Sequence, residues 1–152
     1  IYQREENLLA VTILLIAVLV FVAIDDFVNF RIKNESISVL LLLIFLKYFF
    51  SGLPEDYIIG IIVALVVFTC MLLAHWRGYL GGGDVKLLPL AFLWLGSTEW
   101  LLFYAILTVA TLLYSILALL KILPSDMSKG KPRMAYGPCI SIAWIMCIIL
   151  NR

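Results

Sequence analysis

Apolar runs broken by short polar stretches account for most of the chain. Six such runs, at residues 8–24, 37–50, 57–74, 85–95, 100–120 and 135–150, carry almost no charge. A helix needs about 20 apolar residues to cross a hydrocarbon core near 30 Å, so the pattern predicts six membrane helices. The second run is short and holds Lys47 near its end, where a long side chain can snorkel to the interface. The fourth is shorter still, and as a helix it would extend only ~16 Å at 1.5 Å per residue. It directly follows Gly81-Gly82-Gly83-Asp84. Either that loop lies below the membrane surface inside the protein, or the segment is re-entrant. Irregular backbone at membrane depth is tolerated only where protein packs on it or water reaches it. The expected fold class is an all-α polytopic membrane protein, with six transmembrane helices and a short or broken fourth helix after a Gly-rich loop.

Composition narrows the function. Of 152 residues, 64% are hydrophobic and 14% charged, against roughly 45–50% and 25% in ordinary soluble domains. The mean hydropathy is +1.12. Disordered chains are poor in apolar residues, so that class is excluded. The three cysteines sit singly inside apolar runs and make no disulfide framework. One histidine and scattered cysteines cannot assemble a zinc site, so neither a metal nor another cofactor is expected. Net charge is +1 and no basic cluster suggests nucleic acid.

The basic residues orient the chain. If the runs cross alternately, one side receives Arg31, Lys33, Arg77, Lys86, Lys121, Lys129, Lys131 and Arg133, eight of the eleven. The positive-inside rule makes that side cytoplasmic and puts both termini outside.

Acids beside membrane helices are costly and call for a reason. Asp25, Asp26 and Asp84 fall on the same side by the parity of crossings. Two carboxylates meeting at a partly buried site can share one proton, because like charges at close range cannot both ionise cheaply. One then serves as base toward water and the other as acid toward the leaving group. The plainer reading makes Asp25-Asp26 interfacial boundary residues. Yet a helix C-terminus disfavours negative charge, so helix stability does not explain them. Asp84 opens an apolar helix after three glycines, whose backbone permits close approach or positive φ. The free amides there would favour its ionised form, leaving the shared proton to Asp26 beside Asp25.

At these residues the sequence resembles a known family. Gly81-Gly82-Gly83-Asp84-Val85-Lys86-Leu87 resembles the Gly-x-Gly-Asp-x-Lys-Leu signature of type IV prepilin peptidases, which are membrane aspartic proteases. Upstream, Asp26 is followed by Ile32-Lys33-Asn34, where the family has Asp and then Ile-Pro-Asn. This alignment selects Asp26 over Asp25. Met134-Ala135-Tyr136-Gly137-Pro138 resembles the family stretch that opens the last helix. Lys33 and Ala135 stand where proline is usual.

The resemblance covers essentially residues 1–152 as a single integral-membrane domain. It lacks the soluble N-terminal extension linked to methylation, which implies a peptidase-only member like those serving Flp-type pili. It implies Asp26 and Asp84 as the catalytic pair, with Gly81, Gly82 and Gly83 shaping the loop that presents Asp84. Lys86, Tyr136 and Gly137 become supporting candidates, with a snorkelling lysine and plain packing as the alternatives. Asp25 and Asn34 are candidate neighbours of the pair, although an exposed interfacial acid also accounts for Asp25. The implied partners are a prepilin, recognised through its leader and N-terminal hydrophobic helix, and the lipids of the bacterial inner membrane. The segment 121–133 is either a contact surface for anionic groups or a solvated loop. Nothing in the sequence sets an oligomeric state. Two rivals belong to other classes: a small transporter or proton-pathway subunit, and a non-enzymatic assembly partner of a secretion system.

Overall fold

The computed structural model describes residues 2–78, 81–120 and 136–151. Among them are six α-helices, one 3-10 turn at Ser97–Glu99, and no strand. The segment 121–133 lies outside the described residues.

Helix α1 (Tyr2–Asn29) runs past the acids that interrupt its hydropathy. Its buried stripe, Val11, Leu15, Leu19 and Val22, continues to Asp26 at the same helical spacing. Asp25 lies about 100° away on the helix circumference, the angle of one residue at 3.6 per turn. The helix closes at Phe30, a non-glycine residue at φ 52°, whose N–H donates to the Asp26 carbonyl at 2.8 Å. The chain then turns through Lys33 into α2 (Asn34–Ser51), followed by α3 (Tyr57–Trp76).

Helix α4 (Asp84–Trp94) starts directly after the three glycines and has 11 residues. Helices α5 (Trp100–Leu119) and α6 (Gly137–Leu150) complete the bundle. Four segments are long and apolar enough to cross a membrane: Gln3–Asn29, Asn34–Ser51, Tyr57–Trp76 and Ser97–Leu119. They fit a multi-pass membrane protein. By length alone α4 and the 14-residue α6 fall short of a crossing, so the six apolar runs become six helices of two kinds.

Packing separates the two kinds. α4 packs on α2, α3 and α6, while α6 packs on α1 and α5. Nine of the 11 residues of α4 and nine of the 14 of α6 are buried, whereas α3 buries only Ala64. Phe92 of α4 meets Phe103 and Trp100 edge-on, at centroid distances of 5.5 and 6.0 Å.

The far end of α4 is capped from α2. A helix leaves its last carbonyls without partners in the helix. Lys47 Nζ donates to the Trp94 carbonyl at 2.5 Å and lies 4.6 Å from the Trp94 ring centroid. The Tyr48 hydroxyl donates to the Leu93 carbonyl. Lys47 therefore turns inward rather than snorkelling, because a cation is favoured at a helix C-terminus. At the same end the Ser97 hydroxyl, together with the Ser97 amide at 3.2 Å, donates to Asp56 and holds that carboxyl below its usual range. Asn151 meets Glu99 there as well. The end of α1 and the starts of α4 and α6 gather at the opposite end.

Candidate active site

Asp26 and Asp84 come from different helices to one place. Asp26 is carried by the last turn of α1 and is 5% exposed, and Asp84 opens α4 and is 7% exposed. They lie within electrostatic reach of each other, and the Cys139 thiol lies within reach of both.

The backbone around them is close-fitting. Gly137 N–H donates to Asp26 Oδ2 at 2.9 Å. A Cβ at Gly137 would lie 2.6 Å from that oxygen, so only glycine allows the carboxylate to rest on the start of α6. On the other side, a Cβ at Gly81 would lie 2.9 Å from Asp84 Oδ2, and the Gly81 amide is a backbone partner of that carboxylate. A Cβ at Gly83 would fall 2.7 Å from Ile32 Cβ in the turn after α1. At Gly82 the nearest atom, His75 Cε1, is at an ordinary 3.5 Å. The two tight positions flank a permissive one, which is the pattern Gly-x-Gly-Asp. None of the three glycines has positive φ; the loop needs them for close approach.

Hydrogen bonding distributes the amide donors differently from the sequence-based expectation. The firm donor from a helix start reaches Asp26, and it comes from α6. Asp84 Oδ1 is buried with no partner among the described residues.

The supporting candidates fall into two groups. Lys86 Nζ donates to Asn34 Oδ1 at 2.7 Å, tying the start of α4 to the start of α2. The Tyr136 hydroxyl accepts from Thr111 Oγ1 of α5 at 3.1 Å and holds the approach to α6. Asp25 faces away from the pair. Its Oδ1 accepts from Asn29 Nδ2 at 2.6 Å, and its Oδ2 lies 3.5 Å from Lys33 Nζ. A cleft of about 310 Å³, open to the surroundings, adjoins the glycine loop between Ile32, Phe68, Leu72, His75 and Lys86. Thr111 and Cys139 were not singled out by the sequence, and Ile32 served there only to align the first motif. Cys139 had a signal, since it follows Gly137 by two positions, but Thr111 had none.

A family model described as the type IV leader peptidase family matches residues 13–118. The chain belongs to the type IV leader peptidase family. Membership makes it a peptidase, a hydrolase of the prepilin-processing class, and the match includes both aspartates and the Gly-rich loop. It ends before Tyr136 and Gly137, so the place of Gly137 beside Asp26 is known from the geometry alone. No curated protein and no solved structure gives a significant match to the chain. Among the described residues, no group of three or more His, Cys, Asp or Glu is arranged to hold a metal ion.

Proposed function

We propose that the chain is a membrane-embedded aspartic endopeptidase that removes the short leader of a prepilin or pseudopilin at the cytoplasmic face. What carries this reading is the convergence of two buried carboxylates from α1 and α4 beneath glycine backbone, with Gly137 N–H fixing Asp26 at 2.9 Å. The pair shares a proton and titrates as a unit. The ionised carboxylate takes a proton from a water as that water attacks the scissile carbonyl carbon. The protonated one then supplies the proton that the leaving amine requires. The hydrogen bond to Gly137 orients Asp26, and the partnerless Oδ1 of Asp84 is free to bind water or substrate. Asp26 and Asp84 are the catalytic residues in this scheme. Gly81, Gly83 and Gly137 keep the backbone close to them, and Lys86, Asn34 and Tyr136 brace the helices.

The open cleft beside Gly82 and Lys86 gives an extended leader a path to the pair, while the hydrophobic helix of the substrate lies in lipid alongside the bundle. All six helices lie in the inner membrane and alternate in direction, and the short α4 and α6 are sheltered by the other four. The gathering of the α1 end with the α4 and α6 starts supports this, as does the meeting of Lys47, Trp94, Glu99 and Asn151 at the other end. Both termini then face outward and the aspartates face the cytoplasm.

The test is cleavage of a short-leader prepilin by the purified chain in liposomes. The expected result is a shortened product with the wild type. Asp26→Asn and Asp84→Asn should each reduce the rate by about 1000-fold, a typical scale for losing an acid–base group, with the folded helical content unchanged. Substantial cleavage by Asp84→Asn refutes the scheme. Proton flux without cleavage favours the transporter reading instead, and prepilin binding without either favours the assembly partner.

A further inference from the structure

Asp25 and Lys33 lie outside the proposed chemistry, yet both border the turn on which it depends. That turn, residues 30–33, must seat Ile32 on Gly83 and deliver Asn34 to Lys86. It does so from an unfavourable start, since Phe30 occupies the left-handed region at φ 52°. Lys33 sits at φ −72° and ψ 140° as the N-cap of α2, and a proline ring would hold that φ without help. Lysine has no ring. Its ammonium instead lies 3.5 Å from Asp25 Oδ2 and 5.9 Å from the Phe21 ring centroid. Asp25 is in turn fixed by the Asn29 amide at 2.6 Å. The aspartate is 10% exposed and the lysine 56%.

We propose that Asp25 and Lys33 are positioning residues, whose ion pair clamps the turn after Asp26 in the conformation a proline would impose and so keeps Asp26 in register with Asp84. The inference rests on the proteolytic reading of the two aspartates. The ion pair acts across eight residues, from the last turns of α1 to the first residue before α2. Its Phe21 contact adds a second hold on the same ammonium. The Lys33 carbonyl accepts from the Ile37 N–H at 3.4 Å at the start of α2, and a proline would retain that carbonyl.

The experiment compares the full-length wild type with Asp25→Asn, Lys33→Ala, Lys33→Pro and the double variant Asp25→Asn/Lys33→Pro in detergent. Two quantities are read: the cleavage rate on a short-leader prepilin, and the midpoint of thermal unfolding. Asp25→Asn and Lys33→Ala are each expected to slow cleavage about threefold, the scale of a partly exposed ion pair. Lys33→Pro keeps the wild-type rate, and in its background Asp25→Asn costs nothing further. Raising the salt slows the wild type more than Lys33→Pro, because only the wild type has this ion pair to screen. If Lys33→Pro is as slow as Lys33→Ala, or if Asp25→Asn slows both backgrounds equally, the inference is overturned. The unfolding midpoints form an independent cycle, in which non-additivity between Asp25 and Lys33 is expected. Additive midpoints with cleavage intact overturn this inference alone. A wild type that cleaves nothing while the midpoints remain coupled overturns the proteolytic reading, and the positioning role with it.

Discussion

Helices α3 and α4 pack against each other and are built on opposite terms. α3 has 20 residues and buries one of them, whereas α4 has 11 and buries nine. α3 is apolar along nearly its whole length, while α4 carries an aspartate, a lysine and a proline. In lipid a strongly apolar helix need not be buried, because the tails solvate it as well as protein does. The less apolar helix is the one that must be enclosed. Polar groups at its two ends would be costly against hydrocarbon, so α2, α3 and α6 surround it and Lys47 and Tyr48 cover its last carbonyls.

Substitutions sharpen or break that contrast, beginning with the largest effect. Phe92→Ala opens a cavity among Phe103, Trp100 and Tyr104 and should cost about 3–5 kcal/mol of stability, read from unfolding in mixed micelles. Gly137→Ala drives a methyl into Asp26. It should cut prepilin cleavage about 100-fold, as a displacement near 1 Å at a reacting group does, and cost about 1–3 kcal/mol of stability from the overpacked contact. Lys47→Met removes the partner of the Trp94 carbonyl at the far end of α4. The expected cost is about 1–3 kcal/mol for a buried acceptor left without a donor, measured by the same unfolding assay. Leu65→Ala lies on α3 with its side chain 59% exposed and should stay within about 0.5 kcal/mol of wild type. A loss at Leu65 comparable to that at Phe92 would mean that α3 is covered by another chain and not by lipid.

The sequence made the helices legible because hydropathy and glycine punctuation are local signals. The start of α4 at Asp84 could be read from the glycines before it, and the all-helical class from the runs themselves. The distinction between inner and outer helices was not legible, since α3 and α6 are equally apolar in composition. Helix α1 extends five residues beyond its apolar run because Asp26 continues the buried stripe, a spacing that hydropathy averages away. Among the site residues, motif resemblance selected Asp26, Asp84 and Gly137, but only the fold identifies Gly137 as the amide donor to Asp26. The link from Lys86 to Asn34 spans 52 positions, and the capping role of Lys47 is set by α4, 47 positions away. Such partners are fixed by tertiary proximity and leave no trace in spacing.

The amide that holds Asp26 belongs to α6, which is synthesised after the other five described helices. A nascent chain with α1 through α5 already inserted has made both acids but lacks the group that orients the first of them. Peptide hydrolysis would then await entry of α6 into the bilayer. On the proteolytic reading, a half-built chain would stay latent beside the translocation machinery, where unrelated hydrophobic segments pass.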